Sequence, residues 1–122
     1  MPRRKPIERV RAICLALPEA TEKAAWGEPT FRVGGRIFAQ YEDNHHDSGI
    51  VGLWLNAPDG MQEFLVAQDP ARFYRPKYVG HKGWIGVRME GDVPWEHVAE
   101  LVRESYRLTA PKRLAAQLSV QS

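Results

Sequence analysis

Cysteine is almost absent from this chain of 122 residues: Cys14 is the only one. A lone cysteine forms no internal disulfide and supplies no Cys-based zinc site. It falls on an apolar helical stripe, where a buried small hydrophobe is the expected role. Long apolar runs are missing as well, and nothing approaches the roughly 20 residues of a membrane span. The basic start, Met1-Pro2-Arg3-Arg4-Lys5, is followed by Glu8, Arg9 and Arg11 and not by the apolar core of a secretory signal. These absences point to a cytoplasmic protein with no membrane partner. Internal repeats and low-complexity tracts are absent too.

Charge is missing locally, one sign at a time. Residues 40–71 hold Glu42, Asp43, Asp47, Asp59, Glu63 and Asp69 but no Lys or Arg, whereas residues 72–88 hold Arg72, Arg75, Lys77, Lys82 and Arg88 but no acid. The net charge is only +2, so this polarity bears on partners and not on bulk behaviour.

What is present is ordinary globular material, 43% hydrophobic and 26% charged, enough for one core at this length. Residues 1–122 read as a single domain, with 1–5 and 115–122 expected to fray. Pro6 opens a helix whose stripe is Ile7, Val10, Cys14 and Leu17, and Pro18 ends it. Ala20 to Trp26 reads as a short strand. Pro29 to Val33, Gly34-Gly35 and Arg36 to Tyr41 read as a β-hairpin on a two-residue turn. Strict alternation then pairs Phe31 with Phe38 toward the core and puts Arg32 and Ile37 on the other side.

Ile50 to Leu55 is the next strand. A helix follows, capped by Asn56 or Asp59, with Met61, Phe64, Leu65 and Gln68 on one face. Residues 73–83 read as irregular. Trp84 to Met89 is the last strand, with Trp84 in the core. Pro94 opens the strongest helix, with Trp95, Val98, Leu101, Val102 and Leu108 inward and Tyr106 at the edge. Lys112 onward adds about one turn. The expected fold is α+β: an antiparallel sheet of four to five strands with helices mainly on one face.

Catalytic and metal motifs do not assemble. His45-His46-Asp47 lacks spaced further ligands, Glu96 and Glu100 read as a solvated helical face, and His97 as a helix-surface residue. Ser105 lacks a nucleophile elbow. Gly34-Gly35 is followed by a strand and so is not a phosphate loop. No enzyme activity, metal or cofactor is expected.

The stretch from Arg72 to Trp84 remains, with cations and aromatics interleaved. Phosphate contacts from Arg72, Arg75, Lys77, His81 and Lys82, with Arg103, Arg107, Lys112 and Arg113 from the last helix, would give weak, salt-dependent DNA binding. Four Lys or Arg contacts imply a log–log salt slope of about −3.5 on duplex. The alternative is a module that binds a protein or small ligand on an open sheet face bearing Arg32, Tyr41 and Trp54. A homodimer through that face is a third arrangement.

Four segments carry a family resemblance: Cys14-x-x-Leu17-Pro18-Glu19-Ala20-Thr21-Glu22, Trp26-Gly27-x-Pro29-Thr30-Phe31-Arg32-Val33, Lys82-Gly83-Trp84-Ile85 and Glu104-Ser105-Tyr106-Arg107-Leu108. Together they resemble the MmcQ/YjbR family. The resemblance implies a small α+β fold similar to secretion-chaperone-like and frataxin-type domains. It also implies a family commonly labelled DNA-binding through a double-wing arrangement. It brings no catalytic residues. The polar 42–49 loop has no counterpart in that pattern.

Overall fold

The computed structural model describes residues 5–44 and 49–121, with side chains through residue 118. The elements are α1 (Pro6–Leu15), β1 (Thr21–Ala25), β2 (Glu28–Val33), β3 (Arg36–Asp43), β4 (Val51–Leu55), α2 (Met61–Gln68), β5 (Phe73–Tyr74), β6 (Ile85–Arg88), α3 (Trp95–Thr109) and α4 (Lys112–Gln121), with a 3-10 turn at Gly80–Lys82. The strands form one antiparallel sheet in the order β1-β2-β3-β4-β6-β5. β1 to β4 form a meander of neighbours. The chain then leaves through α2, returns at the far edge as β5, and inserts β6 between β5 and β4. The α+β expectation holds, with six strands rather than four or five.

Alternation along the strands sends Phe31, Val33, Phe38, Leu53, Leu55, Ile85 and Val87 to one face, where they are fully buried. α3 covers that face. Val98, Val102 and Tyr106 have at most 1% exposure, and α1 adds Val10 and Cys14. Burial also pushes the Cys14 thiol well above its ordinary pKa, consistent with an inert core residue. Tyr106 belongs to the centre of α3 and not its edge: its ring meets Phe38 edge-on, and its hydroxyl donates to the Pro18 carbonyl. Leu108 is instead exposed at 45%. His97 is half-buried, its ring edge-on to Phe73.

The Gly34-Gly35 turn is as expected, with φ of 58° and 78°. The register beyond it is not. Val33 faces Arg36 and Arg32 faces Ile37, but Phe31 then faces Ala39 across a bulge. One extra residue reverses the side-chain parity of everything after it. Phe38 still reaches the core, packed on Tyr106. Tyr41, however, moves from the face of Arg32 to the helix-covered face, where it joins the core at 4% exposure.

Other local differences have equally local causes. Gly60, not Asn56 or Asp59, occupies the N-cap of α2, and Gln62 and Leu65 are its buried residues while Phe64 is 57% exposed. Within residues 73–83, β5 and the 3-10 turn replace an irregular segment. α4 runs ten residues where one turn is expected, because Leu114 and Leu118 pack into the core at 1% and 2% exposure. Trp84 is only half-buried.

Ser105 locks α3 to the sheet. Its hydroxyl donates to the Phe38 carbonyl at 2.5 Å and accepts from the Asn56 amide at 2.9 Å, closing both sides of the β3–β4 ladder end. Removing it takes a partner from the buried Phe38 carbonyl and from the half-buried Asn56 amide. Ser105→Ala is expected to cost about 1–3 kcal/mol of unfolding free energy, read as a lower urea midpoint at unchanged slope.

Candidate binding surfaces

The second face of the sheet reads across as one cross-strand row: Lys23, Thr30, Gln40, Trp54, Gly86 and Tyr74. Beside it runs Glu42, Gly52 and Arg88. At β4–β6 this face is closed over. Glu42 is 4% exposed, and one of its carboxylate oxygens accepts from Trp54 Nε1 at 2.7 Å and from the Tyr74 hydroxyl at 2.6 Å. A buried carboxylate survives only with such charge-assisted bonds. Burial first, then the Glu42 carboxylate, push the Tyr74 phenol well above its ordinary pKa.

Two glycines make room for that ring. A Cβ at Gly52 would lie 2.0 Å from the Tyr74 hydroxyl oxygen, and one at Gly86 would lie 2.4 Å from Tyr74 Cζ. Arg88 covers the ring, its guanidinium 5.0 Å from the centroid. The cluster of Glu42, Trp54 and Tyr74 escapes a motif search. Its sequence signal is a pair of glycines inside otherwise apolar strands, which marks a close approach to the backbone.

The basic loop grows directly out of this cluster. Tyr78, held at φ 65°, tilts over Trp54 with ring centroids 6.5 Å apart and remains 65% exposed. Gln62 of α2 donates to the carbonyls of Gly80 and Trp84, pinning the loop's far end. The stem of Arg75 crosses Gly80, whose Cβ, if present, would lie 2.6 Å from Arg75 Cγ. Arg75, Lys77, His81 and Lys82 are exposed on this frame.

Arg72 is not part of that surface. Its guanidinium donates to the carbonyls of Arg88, Glu90 and Asp92, so it clamps the turn after β6. The helix cations also stand apart. Arg103 and Arg107 are half-buried on α3, on the other side of the sheet from Tyr78, and Arg107 lies 3.4 Å from Glu104. Lys112 is exposed on α4. Arg113 pairs with Glu19 at 2.9 Å, which lowers the Glu19 carboxyl pKa. The nine residues expected to cooperate therefore fall into separate groups.

The alternative face is divided too. Arg32 lies half-buried on the second face, its Nε 3.3 Å from Thr30 Oγ1. Trp54 shares that face but is 3% exposed, and Tyr41 is on the opposite one. His45, His46 and Asp47 lie outside the described residues. No group of three metal-ligating side chains occurs among the described residues. No described helix is long and apolar enough to cross a membrane.

A family model for YjbR matches residues 15–108. No curated protein matches the chain. The crystal structure of Deinococcus radiodurans protein DR2400, a DUF419 domain, is similar at a TM-score of 0.74 and 24% identity, over 93% of this chain and 87% of that one. That likeness establishes the fold.

Gly86→Ala is expected to destabilise by about 1–3 kcal/mol through the Tyr74 ring. Combining it with Tyr74→Ala should cost clearly less than the sum of the two single changes; additive losses in urea denaturation would contradict the cradle. The phenol also sets a pH dependence. An unfolded tyrosine ionises near 10, and folded Tyr74 holds its proton above that. Its contribution is therefore whole below about pH 10 and is lost as pH rises through the folded value. Tyr74→Phe should flatten the fall in stability above about pH 10, and equal slopes in the two proteins would contradict this.

Proposed function

The chain belongs to the YjbR family, and from its sheet-side loop we propose that it is a non-enzymatic cytoplasmic protein that binds nucleic acid weakly. The observation that carries this reading is the arrangement of Arg75, Lys77, His81 and Lys82 around an aromatic side chain, Tyr78, that is 65% exposed. Tyr78 keeps much of its ring in reach of a ligand, and every base offers a π-face to stack on. The cations supply sequence-independent contacts to the phosphates.

Two features make this a single-strand surface rather than a duplex one. Tyr78 stacks only on a base that is not already stacked on both sides. The cations of α3 and α4, which would extend the footprint along a duplex, face away from the loop, and two of them have acidic partners. Three contacts from Arg75, Lys77 and Lys82 give a log–log salt slope of about −2 on single strands. The proposal thus narrows the binding surface to residues 75–82. Binding through an open sheet face loses its support, because Trp54 is covered and Tyr41 lies on the other side.

Fluorescence anisotropy of a labelled single-stranded oligonucleotide across salt concentrations tests the reading. Lys77→Ala with Lys82→Ala should reduce the slope by about 1.4. Tyr78→Ala should weaken single-strand binding by about 1–3 kcal/mol with little effect on the slope. Arg107→Ala with Lys112→Ala should leave binding as it is. Absence of binding at low salt, or a loss that follows the helix cations, would overturn the proposal.

A further inference from the structure

On the helix side of the sheet, away from the basic loop, a cleft of about 680 Å³ opens between the start of α1, the adjoining ends of β3 and β4, and residues 89–95. Its size lies within the range of small-molecule sites. Tyr41, Val51 and Trp95 contribute aromatic and apolar surface, and Asp43, Glu90 and Asp92 contribute carboxylates. Among the described lining residues Lys5 is the only one with a cationic side chain, against three carboxylates.

Tyr41 is the unusual residue here. It is 4% exposed, it lines the cleft, and its hydroxyl has no hydrogen-bond partner among the described residues. Buried tyrosine hydroxyls normally find one. This fold provides for its others: Tyr106 donates to the Pro18 carbonyl and Tyr74 to Glu42. Tyr41 is thus buried as a residue but opens its hydroxyl to the cleft, with that group's bonding capacity unused within the described fold. Burial first, then Asp43, Glu28 and Glu90, push its pKa up to about 12, so the hydroxyl stays neutral and feels the carboxylates around it.

The chain's own cations already settle on this part of the surface. The Arg9 guanidinium lies 4.5 Å from the centroid of a Trp95 ring. Arg72 reaches the carbonyls of Glu90 and Asp92 in the turn that borders the cleft. Aromatic faces and converging oxygens are the two chemistries that recognise an organic cation. A bare metal ion fits less well, because the carboxylates do not close into a group of three ligands among the described residues. We propose that this cleft is a binding site for an organic ammonium ion with an apolar body, the ammonium held by Asp43, Glu90 and the Tyr41 hydroxyl and the apolar part lying against Val51 and Trp95.

The proposal is independent of nucleic-acid binding and is tested without it. 2-Phenylethylammonium chloride is titrated into the full-length ¹⁵N-labelled chain and followed by amide shifts, with 3-phenylpropionate as the anionic counterpart. Saturable shifts centred on Tyr41 and residues 89–95 are expected for the ammonium and not for the anion. Glu90→Gln alters an exposed side chain that the fold does not need and should weaken binding about three- to tenfold; adding Asp43→Asn should bring the loss beyond about tenfold. Tyr41→Phe should weaken binding at an unchanged unfolding midpoint, since that hydroxyl has no partner to lose within the described fold. The proposal is overturned by no saturation up to about 20 mM ammonium, by an equal response to the anion, by shifts centred elsewhere, or by Glu90→Gln binding like the parent.

Discussion

A carboxylate that is 4% exposed must be surrounded by donors, and Glu42 obtains two of them from Trp54 and Tyr74. Three strands contribute one member each. β3 brings the acid, β4 the indole and β5 the phenol, so the bonds tie the central sheet to its two-residue edge strand. They add to its short pairing with β6 and to the packing of Phe73 in the core. The glycines at 52 and 86 exist in the same arrangement, since any side chain there would occupy the space of the Tyr74 ring. The basic loop begins at the next residue, so its position follows from the carboxylate at one remove. A charge buried on one face of the sheet thereby fixes where the exposed charge of that face can stand.

Most of the architecture is legible along the chain because it is local. Gly34-Gly35 declares its own turn, Pro6 and Pro94 open α1 and α3, and the period of Val98, Leu101 and Val102 sets the inner face of α3. The family motifs prove to be chiefly packing motifs. Phe31 fills the core, Ser105 joins α3 to β3 and β4, and Tyr106 reaches back to Pro18.

The candidate site was harder to read because one nonlocal event governs it. The bulge at Phe38 lies where Ser105, 67 residues away in sequence, donates its hydroxyl proton to the Phe38 carbonyl. No pattern within β3 announces it. Simple alternation from Ile37 places Tyr41 beside Arg32, and the bulge puts it on the other side. The charge runs misled for a similar reason. Their clustering in sequence is real, but Arg72 is spent on backbone carbonyls, and the cations of α3 and α4 are separated from the loop by the thickness of the sheet.

The order of strands has a consequence for association. An antiparallel sheet invites another chain wherever a long, flat edge is left unpaired. Here one edge, β5, is two residues long and ends in a loop pinned by Gln62, too short to template a neighbour. The other, β1, carries Glu22 bonded to Arg11 and an exposed Lys23, which a second copy would have to bury. Because β6 enters the sheet from within rather than extending it, the chain gains a sixth strand without gaining a longer edge. Sheet-to-sheet growth is discouraged at both ends, so contacts between copies would have to use side chains rather than backbone.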